Sequence, residues 1–269
     1  MFRTHLPDHM RPEPTPERVY AIIQYLLRKE HAKRDELYQW FCRPHPNEDM
    51  MDIFNPTIEV CKELGILREE ESEMRILVSP EIIDTIDNFR YYTAQVVFKR
   101  PSGLFYNTTQ AYMDKSSQVR HAVNLDEIYR LLRGYNSVTE HLTDNDIKGW
   151  RFWLAFLGLG YLSGSQQNII IPNAYRRVRE CFLRRRFTTD VLSIDDFLDV
   201  LDAECPELKI THNETTISSV LAIALISLEG IGAIELLSVP DAKKWVMTSD
   251  TMDGTRAVSH MKLAKDVIG

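Results

Sequence analysis

Six arginines, Arg176, Arg177, Arg179, Arg184, Arg185 and Arg186, fall within eleven residues of a chain whose formal net charge is −7. Guanidinium groups hold phosphate or carboxylate through paired hydrogen bonds, so this cluster has the chemistry of anion recognition. Tyr175, Phe182 and Phe187 are interleaved with it on what reads as one helix; the plainer reading is a solvated helix face. Upstream, Lys148 and Arg151 extend the positive set. Ser165, Gln166, Gln167 and Asn168 add polar groups suited to phosphate or groove contacts. Together these residues form the candidate nucleic-acid-binding set.

Catalytic patterns are weaker. Glu207 and Lys209 match the tail of a nuclease motif in which acids hold a divalent metal and a lysine stabilises charge. The missing acid would come from Asp195, Asp196, Asp199 or Asp202. However, Glu207 follows Pro206 in what reads as a loop, and Asp195, Asp199 and Asp202 fall on the polar side of a helix. The glycines Gly158, Gly160 and Gly164 follow a helix, with no phosphate-binding lysine behind them, so a turn at the base of a hairpin is expected rather than a nucleotide loop. Cys42 and His45 lack a second ligand pair, His31 and Lys33 lack the aspartate of a phospholipase-type site, and no serine sits in a nucleophile elbow. The expectation is a chain without catalytic residues, metal or cofactor.

At the N-terminal side, Thr15 caps a helix opened by Pro16. Val19, Ile22, Ile23, Leu26 and Leu27 recur on it at spacings of three and four, forming one apolar face. A short second helix turns Leu37, Trp40 and Phe41 inward. Asn55 and Pro56 open a third, which carries Ile58, Val60, Cys61 and Leu64 to a stop at Gly65. Ile66 and Leu67, a charged turn, then Ile76, Leu77 and Val78 read as a hairpin. Three helices and a hairpin are the order of a winged helix.

The order returns twice, in Leu125 to Ile171 and again from Ile194 onward, and "CKELGIL", "LAFLGLGYL" and "ISLEGIGAIEL" all read as helix, glycine stop, strand. In the last copy, Ile217 to Leu228 is an apolar helix that must be buried, and Ile231 to Val239 is expected to pair with Trp245 to Thr248. The fold class is therefore mainly α with short β wings, in tandem winged-helix-like units. The expected boundaries are a flexible lead-in at 1–14, units at 15–88, 125–190 and 191–269, and an aromatic linker at 89–124. Packing is the expected role of that linker, with a stacking surface for single strands as the alternative.

With 269 residues and 44% hydrophobic content, the chain buries a substantial core. Its acidity argues against coating nucleic acid through bulk charge. Four cysteines without paired spacing suit a reducing compartment, and no apolar run approaches the roughly 20 residues of a membrane span. A cytoplasmic location without membrane contact is expected. Glu59 and Glu63 on the third helix, with Glu69, Glu70, Glu71 and Glu73 on its wing, make the first unit a protein-binding candidate.

The order of "TPERVYAIIQYLLRKEHAKRDEL", "CKELGIL" and "GWRFWLAFLGLGYL" resembles the DpdG-type accessory proteins of bacterial 7-deazaguanine DNA-modification and phage-defence clusters, over the first two thirds of the chain. The resemblance implies a place in a DNA-modification assembly and supplies no active-site residues. In architecture the chain is also similar to the tandem winged-helix subunits that clasp the kleisin of chromosome-organising complexes. The functional expectation is a non-catalytic adaptor in a defence or modification complex, with protein subunits as partners and DNA as a second partner through the arginines. The alternative is a purely structural, protein-binding subunit.

Overall fold

The computed structural model describes residues 1–2, 9–43, 49–164, 169–185, 187–248 and 255–264. It is about 54% helical with small sheets, so it is mainly α with short β elements. The chain divides into two compact units, Met1–Asn107 with Asn136–Leu157, and Thr108–Tyr135 with Gly158–Gly269.

The first unit opens with α1 (Pro16–Lys29), where Thr15 accepts the N–H of Arg18. Of the predicted face, Val19, Ile22, Ile23 and Leu26 are fully buried and Leu27 is half-buried. Then come β1 (His31–Lys33), α2 (Arg34–Phe41), α3 (Met51–Glu63), β2 (Leu67–Glu70) and β3 (Glu73–Ile76). β3 is central, antiparallel to both neighbours, with Ala32 opposite Met74 and Leu67 opposite Ile76. Gly65, at φ +70°, makes the exit from α3 in the left-handed region that a side chain disfavours. Three expectations change. α3 begins at Met51 rather than Asn55, with Pro56 inside it; β3 takes in the end of the expected charged turn and stops at Ile76, leaving Leu77 exposed; and Trp40 and Phe41 are half-buried instead of turning fully into the core, Trp40 lying against Tyr25 with ring centroids 4.6 Å apart.

Beyond the sheet, α4 (Ile86–Phe98) and α5 (Leu104–Asp114) flank the turn at Pro101 to Gly103. Phe98 and Phe105 are buried with centroids 6.1 Å apart, and Tyr92 donates to the Leu64 carbonyl at 2.8 Å, so these aromatics of the expected linker serve packing. α6 (Ser116–Arg120) and α7 (Leu125–Leu132) belong to the second unit, and α8 (Asp144–Phe156) to the first.

Thr143 and Asp146 form a reciprocal capping box at the start of α8. The buried Asp146 also accepts the N–H of Met10 at 2.6 Å, and Trp153 Nε1 donates to the Pro14 carbonyl at 2.6 Å. The described end of the expected lead-in is thus pinned rather than loose: Met10 is fully buried, and a buried carboxylate needs the donor that this segment brings.

In the second unit, β4 (Gly160–Ser163) and β5 (Ile169–Pro172) form an antiparallel hairpin. The unit boundary at Leu157 and Gly158 separates this hairpin from α8, which the sequence reading groups with it. α9 (Tyr175–Arg184), β6 (Val191–Ser193) and α10 (Ile194–Glu204) follow, then a 3-10 helix at Pro206–Thr211, β7 (His212–Asn213), β8 (Thr216–Ile217) and α11 (Ser219–Gly230). β9 (Ile234–Leu237), β10 (Trp245–Met247), β11 (Arg256–Val258) and β12 (His260–Leu263) complete the described elements.

β9 pairs with β12, not with the strand at Trp245; that strand, β10, lies in a separate sheet of order β11-β10-β8-β7. Burial explains the choice, since Leu236 faces Met261 and Ile234 faces Leu263, all four buried. The third sheet has the order β6-β12-β9. With the 3-10 helix, β7, β8, β10 and β11 inserted between its members, the series α9, β6, α10, α11, β9, β12 follows the helix and strand order of α1, β1, α2, α3, β2, β3, with the last strand central in both three-stranded sheets.

Candidate functional site

α9 places the arginine cluster by its helical period. Val178, Cys181 and Phe182 are buried, and Phe182 stacks on Phe197 of α10 at 5.2 Å between centroids. Arg177 shares this inner face and is 0% exposed. Its Nε donates to Glu207 Oε1 at 2.5 Å and its Nη2 to the Glu204 carbonyl at 2.9 Å. Arg177 is therefore a core residue and leaves the nucleic-acid set: it directly follows Arg176, but about 100° of helical rotation turns it inward.

The same pair accounts for Glu207, the weak nuclease candidate. It lies on the 3-10 helix, fully buried, and its own carbonyl accepts from Gln110 Nε2 at 3.0 Å. Burial pushes the Glu207 carboxyl above the usual carboxylate range, against the pull of Arg177. For Arg177, burial favours loss of the proton, but the facing carboxylate outweighs it and holds the guanidinium charged. Beside this pair the thiols of Cys181 and Cys205 are hydrogen-bonded to each other, and burial pushes Cys205 well up.

The outer face of α9 carries Arg176, Arg179, Leu183 and Arg184, continued by Arg185 just past its end; all are exposed, Leu183 by 55%. Arg185 pairs with Glu204 at 3.6 Å. Arg176 and Arg179 make no ion pair with any of the described residues. Gly158, at φ +80°, lies against the Arg176 side chain and the Arg177 backbone, where a Cβ would come within 3.1–3.2 Å of them. The glycine run thus serves close packing of a turn, as its sequence context implied.

The other predicted residues lie on another element or outside the described residues. Lys148 and Arg151 lie on α8, in the first unit. Lys148 pairs with Asp144 at 2.5 Å, and Arg151 lies over the Phe152 ring at 4.7 Å, burial lowering its pKa. Ser165, Gln166, Gln167, Asn168 and Arg186 lie outside the described residues. Among the described residues no group of three or more histidines, cysteines or acids could hold a metal ion, and no helix is long and apolar enough to cross a membrane. The buried Arg177–Glu207 pair escaped the sequence reading, although Ala174, Val178 and Cys181 around Arg177 at helical spacing carried the signal.

The fold defines a mainly helical protein with short β elements and a partly exposed arginine face. The model of the DpdG-like family matches residues 10–242, and the chain belongs to that family. The match extends well into the last third, where the sequence reading found no resemblance. The family fits a DNA-modification or phage-defence context. No curated protein and no solved structure matches the chain.

Proposed function

We propose that this chain is a non-catalytic adaptor of a DNA-modification complex, built on two winged-helix modules, one facing a protein and one facing the DNA backbone. The observation that carries this reading is charge segregation between two copies of one topology. In the first copy, α3 and its hairpin expose Asp52, Glu59, Glu70 and Glu71, a surface that repels phosphate and suits a protein partner. In the second, α11, the counterpart of α3, has no Lys or Arg and is mostly buried. Neither third helix has the cationic face that base reading needs.

The positive charge sits instead on α9, the first helix of the second module. α9 precedes the turn-joined pair α10 and α11, so its arginines would reach the phosphate backbone as a flanking contact rather than from the helix-turn-helix itself. Arg176, Arg179 and Arg184 in that position bind duplex DNA without reading sequence. The non-catalytic part of the reading is supported by Glu207, the one acid with a nuclease-like context, being sequestered with Arg177.

The test is fluorescence anisotropy of labelled duplex DNA with the full-length protein across a salt series. Wild type binds at low salt, and Arg176→Ala/Arg179→Ala/Arg184→Ala weakens binding and flattens the slope of log K against log salt by roughly 0.9 per lost phosphate contact. An unchanged slope in the triple variant removes α9 from the reading.

A further inference from the structure

The first unit holds a cationic, aromatic groove between α1 and α2 that the adaptor reading does not use. Tyr25, Arg28 and Lys29 from α1 face Glu36 and Trp40 from α2 and Arg43 just beyond it, enclosing about 440 Å3. That falls in the range of roughly 300–1,000 Å3 typical of small-ligand sites. Trp40 and Arg43 also wall an adjoining hollow of about 420 Å3 with Met50. Trp40 is held at the rim by Tyr25, with ring centroids 4.6 Å apart and planes inclined by 33°.

Three cations meet a single acid in the first groove. Glu36 is already engaged, accepting from Tyr25 Oη at 2.8 Å and facing Lys29 Nζ at 3.8 Å. Arg28 and Arg43 are exposed and make no ion pair with any described residue. An indole and a phenol at the rim offer a face for a flat ring, and two uncommitted guanidiniums offer bidentate sites for phosphate. An inorganic anion would use the second feature alone and an apolar ring the first alone.

We propose that this groove binds a nucleoside phosphate, its base stacked on Trp40 and its phosphate held by Arg28 and Arg43. The ligand is either a free nucleotide or the terminal nucleotide of a single strand, which share this chemistry. The groove belongs to the first unit and α9 to the second, and the proposal does not rest on the α9 reading.

The test is calorimetric titration of the full-length protein with AMP, inorganic phosphate, a short oligothymidylate and an oligoglutamate peptide. AMP or the oligonucleotide binds saturably and at least about tenfold more tightly than phosphate or the peptide, as stacking adds to charge. Tighter binding of the oligonucleotide assigns the source to a strand; equal binding assigns it to the free nucleotide. Arg28→Ala/Arg43→Ala, on exposed positions, and Trp40→Ala each weaken binding by about tenfold or more, whereas Trp40→Phe retains most of it. Equal binding of phosphate, AMP and peptide, no binding at all, or unchanged binding in a folded Arg28→Ala/Arg43→Ala variant overturns the proposal.

Discussion

Arg177 shows how little a residue's type says about its role until its neighbours are known. It sits in a run of arginines, yet it ends 0% exposed against an equally buried Glu207. Removing one partner leaves a buried charge without compensation, so Arg177→Met destabilises the fold by about 3–5 kcal/mol in urea denaturation. Arg177→Met/Glu207→Leu recovers most of that loss; a double variant as unstable as the single one would contradict the pairing. The thiols make a second residue-scale case. Cys61 is buried with its pKa pushed up to about 12, and Cys205 is also buried and raised. Cys42 is half-buried. A thiol-reactive disulfide reagent therefore labels Cys42 first in the native protein and reaches Cys61 and Cys205 only on unfolding.

Among elements, α8 depends on a missing side chain. A Cβ at Gly149 would collide with the carbonyl oxygens of Met10 and Arg11, which pack directly on the helix. Gly149→Ala is therefore destabilising by about 1–3 kcal/mol, against the roughly 1 kcal/mol by which alanine favours an open helix, read as a lowered urea midpoint. β9 brings a pH dependence. Glu229 pairs with Arg256 and accepts the N–H of Leu236 at 2.9 Å; the Arg256 hydrogen bond holds its carboxyl below the usual carboxylate range. A depressed folded pKa stabilises above the unfolded value, so this contribution is present at neutral pH and is lost as pH falls through the depressed folded value. Glu229→Gln lowers the urea midpoint at neutral pH and reduces its decline on acidification.

The helices of the first module were legible because Val19, Ile22, Ile23 and Leu26 repeat at helical spacing over a capped segment. β1 and β6 were not, because three residues such as His31–Lys33 are too short to show alternation. Nor could the sequence show that β9 prefers β12, since that choice is made by side chains more than twenty residues apart. The arginine face was legible as charge, but its division between Arg177 inside and Arg176 and Arg179 outside needed the helix phase. Trp40 reads as core from its spacing, and only its stack on Tyr25 shows it at the rim of a groove.

At the scale of the whole molecule, a chain of net charge −7 exposes acids on α3 and its hairpin and arginines on α9. Such separation favours contact with two partners of opposite character over a single uniform surface. Charge of this kind acts through counterion release, so the DNA contact proposed for α9 is expected to be sensitive to salt and indifferent to sequence. The measurement that tests the adaptor most directly is retention of the other proteins of its DNA-modification cluster on immobilised duplex DNA, with and without this chain. The account predicts that at least one is held on the duplex only when the chain is present, and is released when Arg176, Arg179 and Arg184 are changed to alanine. Retention that is the same without the chain, or unaffected by those three changes, would contradict it.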